Sequence, residues 1–176
     1  MNNSSISYGG VAKFLHWTMA VLMLLNYFMG LTLDKNNLYD FHKQTGLCIL
    51  ALAVIRIIWR ILDQYPAPLT HTMIERAGAK LAHLALYGFM IILPVSGILM
   101  VNSYGYPLVF LGIIHVPTFI GMQTMEISHV FGEIHKILAN TMIAIVVIHS
   151  VAALKHHFID KNDGLIRMLP FFRKRN

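Results

Sequence analysis

The sequence has one cysteine, Cys48, among its 176 residues. A single thiol cannot form an internal disulfide, and one thiol is too few for a zinc or iron–sulfur site built from cysteines. We therefore interpret Cys48 as a small apolar packing residue.

Charge is equally scarce, since charged residues make up only 12% of the chain, against 56% hydrophobic residues and a mean hydropathy of +0.60. Soluble domains usually carry about 25% charged residues. Half that share leaves too little polar side chain to coat a globule in water, so the lipid bilayer is the expected partner. The length suits one domain over residues 1–176 rather than two.

The chain is rich instead in long apolar segments. Each of them is long enough to span the hydrocarbon core of a bilayer. They cover residues 12–33, 42–62, 78–101 and 133–157. The fold class predicted is an all-α membrane protein, a four-helix transmembrane bundle. The uncharged run at the start of the chain covers about 20 residues, longer than the apolar core of a signal peptide, so we interpret it as a mature helix.

The connections are short apart from one. Residues 102–132 form the longest, punctuated by glycine and proline, and are expected to lie along the membrane surface. Pro94 falls inside the third segment and predicts a kink there. The eleven methionines are interpreted as lipid-facing or gap-filling side chains.

Basic residues predict the orientation. The side that holds both termini carries eleven of them: Lys13, Arg56, Arg60, Arg76, Lys80, Lys155, Lys161, Arg167, Arg173, Lys174 and Arg175. The other side carries three: Lys35, Lys43 and Lys136. This asymmetry predicts a multi-pass membrane protein with both termini in the cytoplasm. Because the basic residues flank spans and form no separate face, nucleic acid is not an expected partner.

Two histidines enclose a mostly apolar run in the fourth segment, HKILANTMIAIVVIH, as His135 and His149. A separation of fourteen residues returns to within about 40° on the same helix face and spans about 21 Å. Ionisable residues inside spans are costly and suggest a functional role. The spacing is therefore typical of two stacked ligand positions, one in each leaflet.

Each position has a histidine at matching depth on another span. His42, in FHKQTG, is level with His135, while both His16, in FLHW, and His83, in KLAHLALY, are level with His149. Two layers of paired imidazoles are what two hemes with axial histidines require. Zinc would lack half of its ligands. Depth alone leaves His16 and His83 as alternatives.

Charged and polar residues at the inner level supply further candidates. Arg56 follows His42 by fourteen residues and is predicted either to pair with heme propionates or to anchor the helix at the membrane surface. A basic rim near the inner ends of the third and fourth spans offers hydrogen-bond donors to a small ligand and is formed by Lys80, His83, Lys155, His156 and His157.

Nearly the whole chain, from about Lys13 to Pro170, resembles the bacterial cytochrome b561 family. The motifs that carry the resemblance are FLHW, FHKQTG, KLAHLALY, the paired His135 and His149, and the C-terminal HHFIDKNDGLIRMLP.

The resemblance implies a four-helix, multi-pass protein of the bacterial inner membrane with two b-type hemes. It implies that His16 and His149 ligate the heme on the cytoplasmic side, and that His42 and His135 ligate the one on the periplasmic side. His83 would then line the inner heme or bind a propionate. The function expected is transmembrane electron transfer between the periplasmic side and the quinone pool, with the basic inner rim as the candidate quinone site.

Some members of that family are superoxide:ubiquinone oxidoreductases, so such an enzyme activity with ubiquinone as a second cofactor is one expectation. The outer surface does not favour it, because its lysines are matched by Asp34, Asp40, Glu126 and Glu133. A surface that attracts an anion should be positive.

Two other functions fit parts of the pattern. A membrane-anchor subunit would pass electrons to or from a separate protein. A proton or metal transporter would use the histidines as a relay, but such transporters place acidic residues deep in the membrane and no span here carries one there.

Overall fold

A computed structural model of the chain describes residues 7–32, 38–63, 66, 69 and 72–171. These residues form four long helices and one short one. The helices are α1 (Gly10–Leu31), α2 (Tyr39–Leu62), α3 (Met73–Ser103), α4 (Met125–Phe158) and α5 (Gly164–Met168). The four long helices are each long and apolar enough to cross a membrane, which confirms the predicted class.

All four long helices begin earlier than the apolar segments inside them, and the difference is largest for α3, at five residues, and for α4, at eight. Threonine caps set both starts. The side chain of Thr72 accepts a hydrogen bond from the amide of Glu75, and that of Thr124 accepts one from the amide of Ile127. Helices of 31 and 34 residues are about 46 and 51 Å long, which exceeds the roughly 30 Å hydrocarbon core. Residue 33, the predicted end of the first span, lies outside the described residues.

Consecutive long helices pack against one another, α1 on α2, α2 on α3 and α3 on α4. The two ends of the chain meet, because the Tyr8 amide and the Ser7 hydroxyl both donate to the carbonyl of Arg167. We call this end of the bundle the inner end and the opposite one the outer end, after the orientation that the basic residues predict. Of those residues, Lys35, Arg173, Lys174 and Arg175 lie outside the described part of the chain.

The buried centre of the bundle lies halfway between the two predicted histidine layers. Its members come from all four long helices: Met19, Met23, Ile49, Ala53, Met90 and Met142. Four of the six are methionines, whose flexible side chains fill an irregular space between helices. This confirms the gap-filling interpretation for these four.

The connection between α3 and α4 contains a small β-hairpin. Its strands, β1 (Val109–Phe110) and β2 (Ile114–His115), pair in antiparallel register. Gln44 of α2 holds the hairpin by two hydrogen bonds, donating to the Val109 carbonyl at 2.7 Å and accepting from the Leu111 amide at 2.8 Å. The hairpin was not predicted, because the turn has no Asn-Gly or Asp-Gly pair.

Pro94 lies inside α3, and the helix continues through it. Proline has no amide hydrogen to donate to the carbonyl four residues earlier. The nearby Ser96 hydroxyl donates to the Leu93 carbonyl at 2.7 Å, and that bond becomes important at the histidine beside it.

Candidate functional site

The outer layer brings together His42 of α2 and His135 of α4, as the sequence predicts. Their ring centroids are 6.2 Å apart and their planes are nearly perpendicular, at 87°. The Nδ1 atom of His42 donates to the carbonyl of Asn26 at 3.0 Å. The Nδ1 atom of His135 lies 2.9 Å from the hydroxyl oxygen of Ser96.

These contacts fix the tautomer of both rings. A carbonyl can only accept, so His42 carries its proton on Nδ1. The Ser96 hydroxyl already donates to Leu93, so its oxygen accepts from Nδ1 of His135. Each neutral ring therefore keeps the lone pair on Nε2. A protein that binds a metal through histidine orients the ring in this way, with a partner for the other nitrogen.

The separation of the two rings also fits a metal between them. Two nitrogens that bind one metal at about 2 Å each place their ring centroids about 6 Å apart. About 780 Å³ of space, part of it open to solvent, surrounds the rings between the helices. The lining is mainly apolar and includes Phe89, Leu93 and Leu108. The outer layer thus fits a heme with two axial histidines.

Two glycines make room for these rings. A Cβ atom built on Gly30 would lie 3.1 Å from Cε1 of His42, and one on Gly97 would lie 3.1 Å from Cε1 of His135. Gly30 follows His16 by fourteen residues, and Gly97 follows His83 by fourteen. Each of the four long helices therefore carries two residues of the candidate site fourteen positions apart. On α2 they are His42 and Arg56, and on α4 they are His135 and His149. The same fourteen-residue spacing is therefore present in the sequences of α1 and α3. It can be recognised only when the glycine is known to leave room for a histidine ring on the neighbouring helix.

The inner layer brings His16, His83 and His149 towards one another with Arg56. The ring of His149 contacts that of His83, with centroids 5.5 Å apart and planes at 64°. The ring of His16 instead lies beside Arg56, whose guanidinium donates to Nδ1 of His16 at 3.1 Å. That guanidinium also lies 5.8 Å from the centre of the Tyr87 ring.

The two candidate partners of His149 differ in their surroundings. His83 is exposed, whereas His16 is half-buried. Arginine can only donate, so Nδ1 of His16 accepts and a neutral ring carries its proton on Nε2. His16 can offer Nε2 to a metal once Arg56 donates to another group, such as a carboxylate. Both histidines therefore remain candidates on geometry.

The inner rim holds a network of ions around Asp160. Its carboxylate accepts from Lys155 at 2.7 Å and from Nδ1 of His156 at 2.6 Å. Lys155 also pairs with Glu75 at 3.3 Å. The hydrogen bond from Lys155, followed by that from His156, holds the pKa of Asp160 below its ordinary value of 3.8. Two of the five predicted rim residues are thus bound to carboxylates.

His157 differs from its neighbours at this rim. Its Nδ1 atom is buried and has no hydrogen-bond partner among the described residues. Its ring packs against Phe158 with centroids 4.8 Å apart. Buried polar atoms are nearly always paired, so an unpaired one suggests a missing ligand.

Three residues that matter here were not predicted. Asn26 and Ser96 accept from the outer histidines, and neither stands out in the sequence because serine and asparagine in a span are often mere packing residues. Lys13, counted only as a basic anchor, is 4% exposed and lies one turn before His16. Of the remaining histidines, His129 packs against Tyr104, His115 is exposed on the hairpin, and His71 lies outside the described residues.

The described cations of the outer end are paired. Lys43 bonds to Asp40 and Lys136 to Glu133, each at 2.7 Å. Lys35 and Asp34 lie outside the described residues. The described part of this surface has no unmatched positive charge that would attract an anion, which agrees with the near-neutral count from the sequence.

Comparison with known proteins connects this architecture to a family. Residues 7–171 match the family described as prokaryotic cytochrome b561. Cytochrome b561 homolog 2 of Escherichia coli (strain K12) is 32% identical over 176 residues, covering 95% of this chain and 93% of that protein. Cytochrome b562 of Cereibacter sphaeroides is 27% identical over 169 residues, with 88% and 90% covered. A probable superoxide oxidase, CybB, of Yersinia pestis is 29% identical over 137 residues, 73% of each chain.

The match extends over almost the whole chain and agrees with the four apolar helices and the facing histidines. It also accounts for the mainly apolar space around the outer pair, since a b-type heme is a large, mostly apolar group. The chain belongs to the prokaryotic cytochrome b561 family and is a multi-pass, heme-binding electron-transfer protein of the bacterial membrane.

Proposed function

We propose that this protein moves electrons across the bacterial inner membrane between its periplasmic side and the quinone pool, using two b hemes with histidine ligands on both faces. The outer histidine pair carries the proposal. His42 and His135 stand at a separation that suits one metal, and each has its Nδ1 bound by a neighbour so that Nε2 is available.

Heme bound at each level would supply reversible one-electron chemistry. The protein's part is to hold and insulate these groups. His42 and His135 would hold the heme at the outer level, each through its free Nε2 atom. The buried methionines between the layers exclude water from the centre of the bundle.

At the inner level we propose that His149 and His16 are the ligands. The half-buried position of His16 and the cation beside it support this choice. A propionate would take the hydrogen bonds of Arg56, and Nδ1 of His16 could then hold the proton that frees Nε2 for the metal. The alternative ligand is His83, which the ring contact with His149 favours.

For the quinone we propose a site at the inner rim beside His157. Its buried, unpaired Nδ1 atom is suited to hydrogen-bond a quinone oxygen. Lys155 and His156 are held by carboxylates instead. His157→Ala should therefore slow heme reduction by a quinol while leaving the heme content unchanged, and His156→Ala, the matched control, should leave the rate near that of wild type.

Superoxide is a possible electron donor at the outer end of the bundle. One relative carries the name of a probable superoxide oxidase. The paired lysines of this chain give an incoming anion little attraction. We expect reduction by superoxide to be slow and nearly independent of ionic strength. A fast rate that falls steeply with added salt would assign the oxidase activity to this protein too.

The deciding experiment is the heme-to-protein ratio by pyridine hemochrome, measured on purified wild type and on His135→Ala, His16→Ala and His83→Ala. We expect two hemes in wild type and one in His135→Ala. His16→Ala should also retain one, whereas His83→Ala should retain two. If His83→Ala loses a heme and His16→Ala does not, the inner ligand is His83.

Other outcomes separate the competing functions. A colourless protein would refute the cytochrome proposal and favour the histidine relay of a transporter. Two hemes with no reaction towards any quinol, together with a redox protein that co-purifies, would favour the membrane-anchor subunit.

A further inference from the structure

The hairpin segment, residues 104–124 between α3 and α4, has an unusual surface for an outer connection. Many of its large apolar side chains are exposed: Tyr106, Leu111, Ile113, Ile114, Phe119 and Met122. Ile113 and Met122 are 75% and 77% exposed. Contiguous exposed apolar surface of this kind marks contact with a protein or a membrane.

Charge distinguishes these two kinds of partner. From residue 81 to residue 125 the chain has no Asp, Glu, Lys or Arg. Protein docking surfaces carry a polar rim around an apolar centre. The hairpin segment has no charged rim of its own, and its exposed Tyr106 is of a residue type enriched where a bilayer meets water.

The position of the hairpin along the bundle agrees with a bilayer. Gln44, which holds it, is the sixth residue of α2, so the hairpin lies about 8 Å inward from the outer end of that helix. Leu108 packs still deeper, against Leu47 of α2 and Ile98 of α3. The hairpin is therefore level with His42 and packs beside α2 and α3.

The turn of the hairpin gives an independent observation. Leu111 has a φ of +53° and is followed by Gly112 at +73°. A side chain with a Cβ is strained in this region, where Asn, Asp or Gly is usual. The strained residue is nevertheless a leucine, 61% exposed, at the tip of the hairpin. An exposed apolar side chain at the tip of a hairpin is favourable only if the tip lies in an apolar environment and not in water.

We propose that the hairpin is an interfacial membrane anchor, with its tip, residues 111–114, inserted at the boundary between headgroups and acyl chains of the outer leaflet. Gln44 satisfies two backbone groups that lipid could not. Leu108 lines the space around His42 and His135, so the anchored hairpin closes that space on one side. Lipid contact would hold this cover in place.

Spin labelling in lipid nanodiscs tests the proposal. Ile113→Cys carries the label on a Cys48→Ala background, with Glu126→Cys as the control at the exposed start of α4. The saturation of each label is measured with oxygen, which concentrates in lipid, and with a nickel chelate, which stays in water. The ratio of oxygen to nickel collisions should be several-fold higher at 113 than at 126, with the heme spectrum unchanged.

Two results would overturn the anchor. Equal nickel access at the two positions would show that the tip lies in water. A label at 113 shielded from both reagents would show that a second copy or another protein covers it. Neither result depends on the heme ligands or the quinone site, so the proposed electron-transfer function would stand.

Discussion

The hydroxyl oxygen of Ser96 lies 2.9 Å from Nδ1 of His135, and the same hydroxyl donates its hydrogen to the carbonyl of Leu93. One serine therefore determines which nitrogen of a proposed heme ligand carries the proton. The partner histidine, His42, reaches the same state through the carbonyl of Asn26. The two outer histidines are thus oriented by polar groups on α1 and α3.

Ser96→Ala should weaken the outer heme site. The Nδ1 hydrogen of His135 would lose its acceptor, and loss of such a partner typically lowers metal affinity by about 10–100-fold. The ligand would also become less basic, so the reduction potential of the outer heme should rise. A redox titration with optical detection measures this. Ser150→Ala is the control, because that hydroxyl donates to the Val146 carbonyl of its own helix; an equal change there would refute the role of Ser96.

Gly97→Ala should disturb the same site by crowding. The added Cβ would lie 3.1 Å from the ring of His135, so the ring must shift by a few tenths of an ångström. We expect a partial loss of one heme and a changed absorption spectrum. Gly88→Ala on the same helix meets nothing within 4 Å and should be neutral or stabilising by about 0.5–1 kcal/mol. Full heme content in Gly97→Ala would show that the ring position is not critical.

Arg56→Gln should lower the reduction potential of the inner heme. A nearby cation favours the reduced, more negative form, and its removal favours the oxidised form. A shift of tens of millivolts is expected for one heme in a potentiometric titration, with the other unchanged. Arg60→Gln, one turn nearer the inner end, should shift the potential less. Equal shifts in the two variants would show that Arg56 acts through the general charge of the inner surface and not through contact with the site.

Asp160 should make a pH-dependent contribution to stability at the inner rim. Its pKa is lowered in the folded protein by Lys155 and then His156, so the stabilisation is present above the ordinary value of 3.8 and is lost as the pH falls through the lowered value. Asp160→Asn should therefore unfold at a lower temperature than wild type at pH 7. The effect should be small, because the pairs are exposed.

Thermal unfolding in detergent across the acid range checks this. The difference between wild type and Asp160→Asn should shrink as the pH falls below about 3.8. Glu133→Gln removes a carboxylate that pairs with Lys136 at the opposite end of the bundle and serves as the comparison. A difference that persists unchanged at low pH would show that the Asp160 side chain acts through packing instead of charge.

The sequence by itself determined the class of this protein and the levels of its site. Hydropathy identifies the four spans because lipid requires long uncharged helices, and the spacing of His135 and His149 follows from the regular turn of a helix. That His42 lies at the same depth as His135 follows from the order of the spans along the chain. Helix starts were less predictable, since α4 begins at a threonine cap eight residues before its apolar run.

Only the tertiary structure decided what surrounds each histidine. Sequence depth cannot show that Ser96 accepts from His135, that Gly30 and Gly97 leave room for the outer rings, or that Arg56 donates to His16. These facts depend on how each helix is rotated and how closely it packs on its neighbour. A helix has a fixed rise per residue, which sets depth from sequence alone, but its rotation about its own axis is set by the side chains of the other helices.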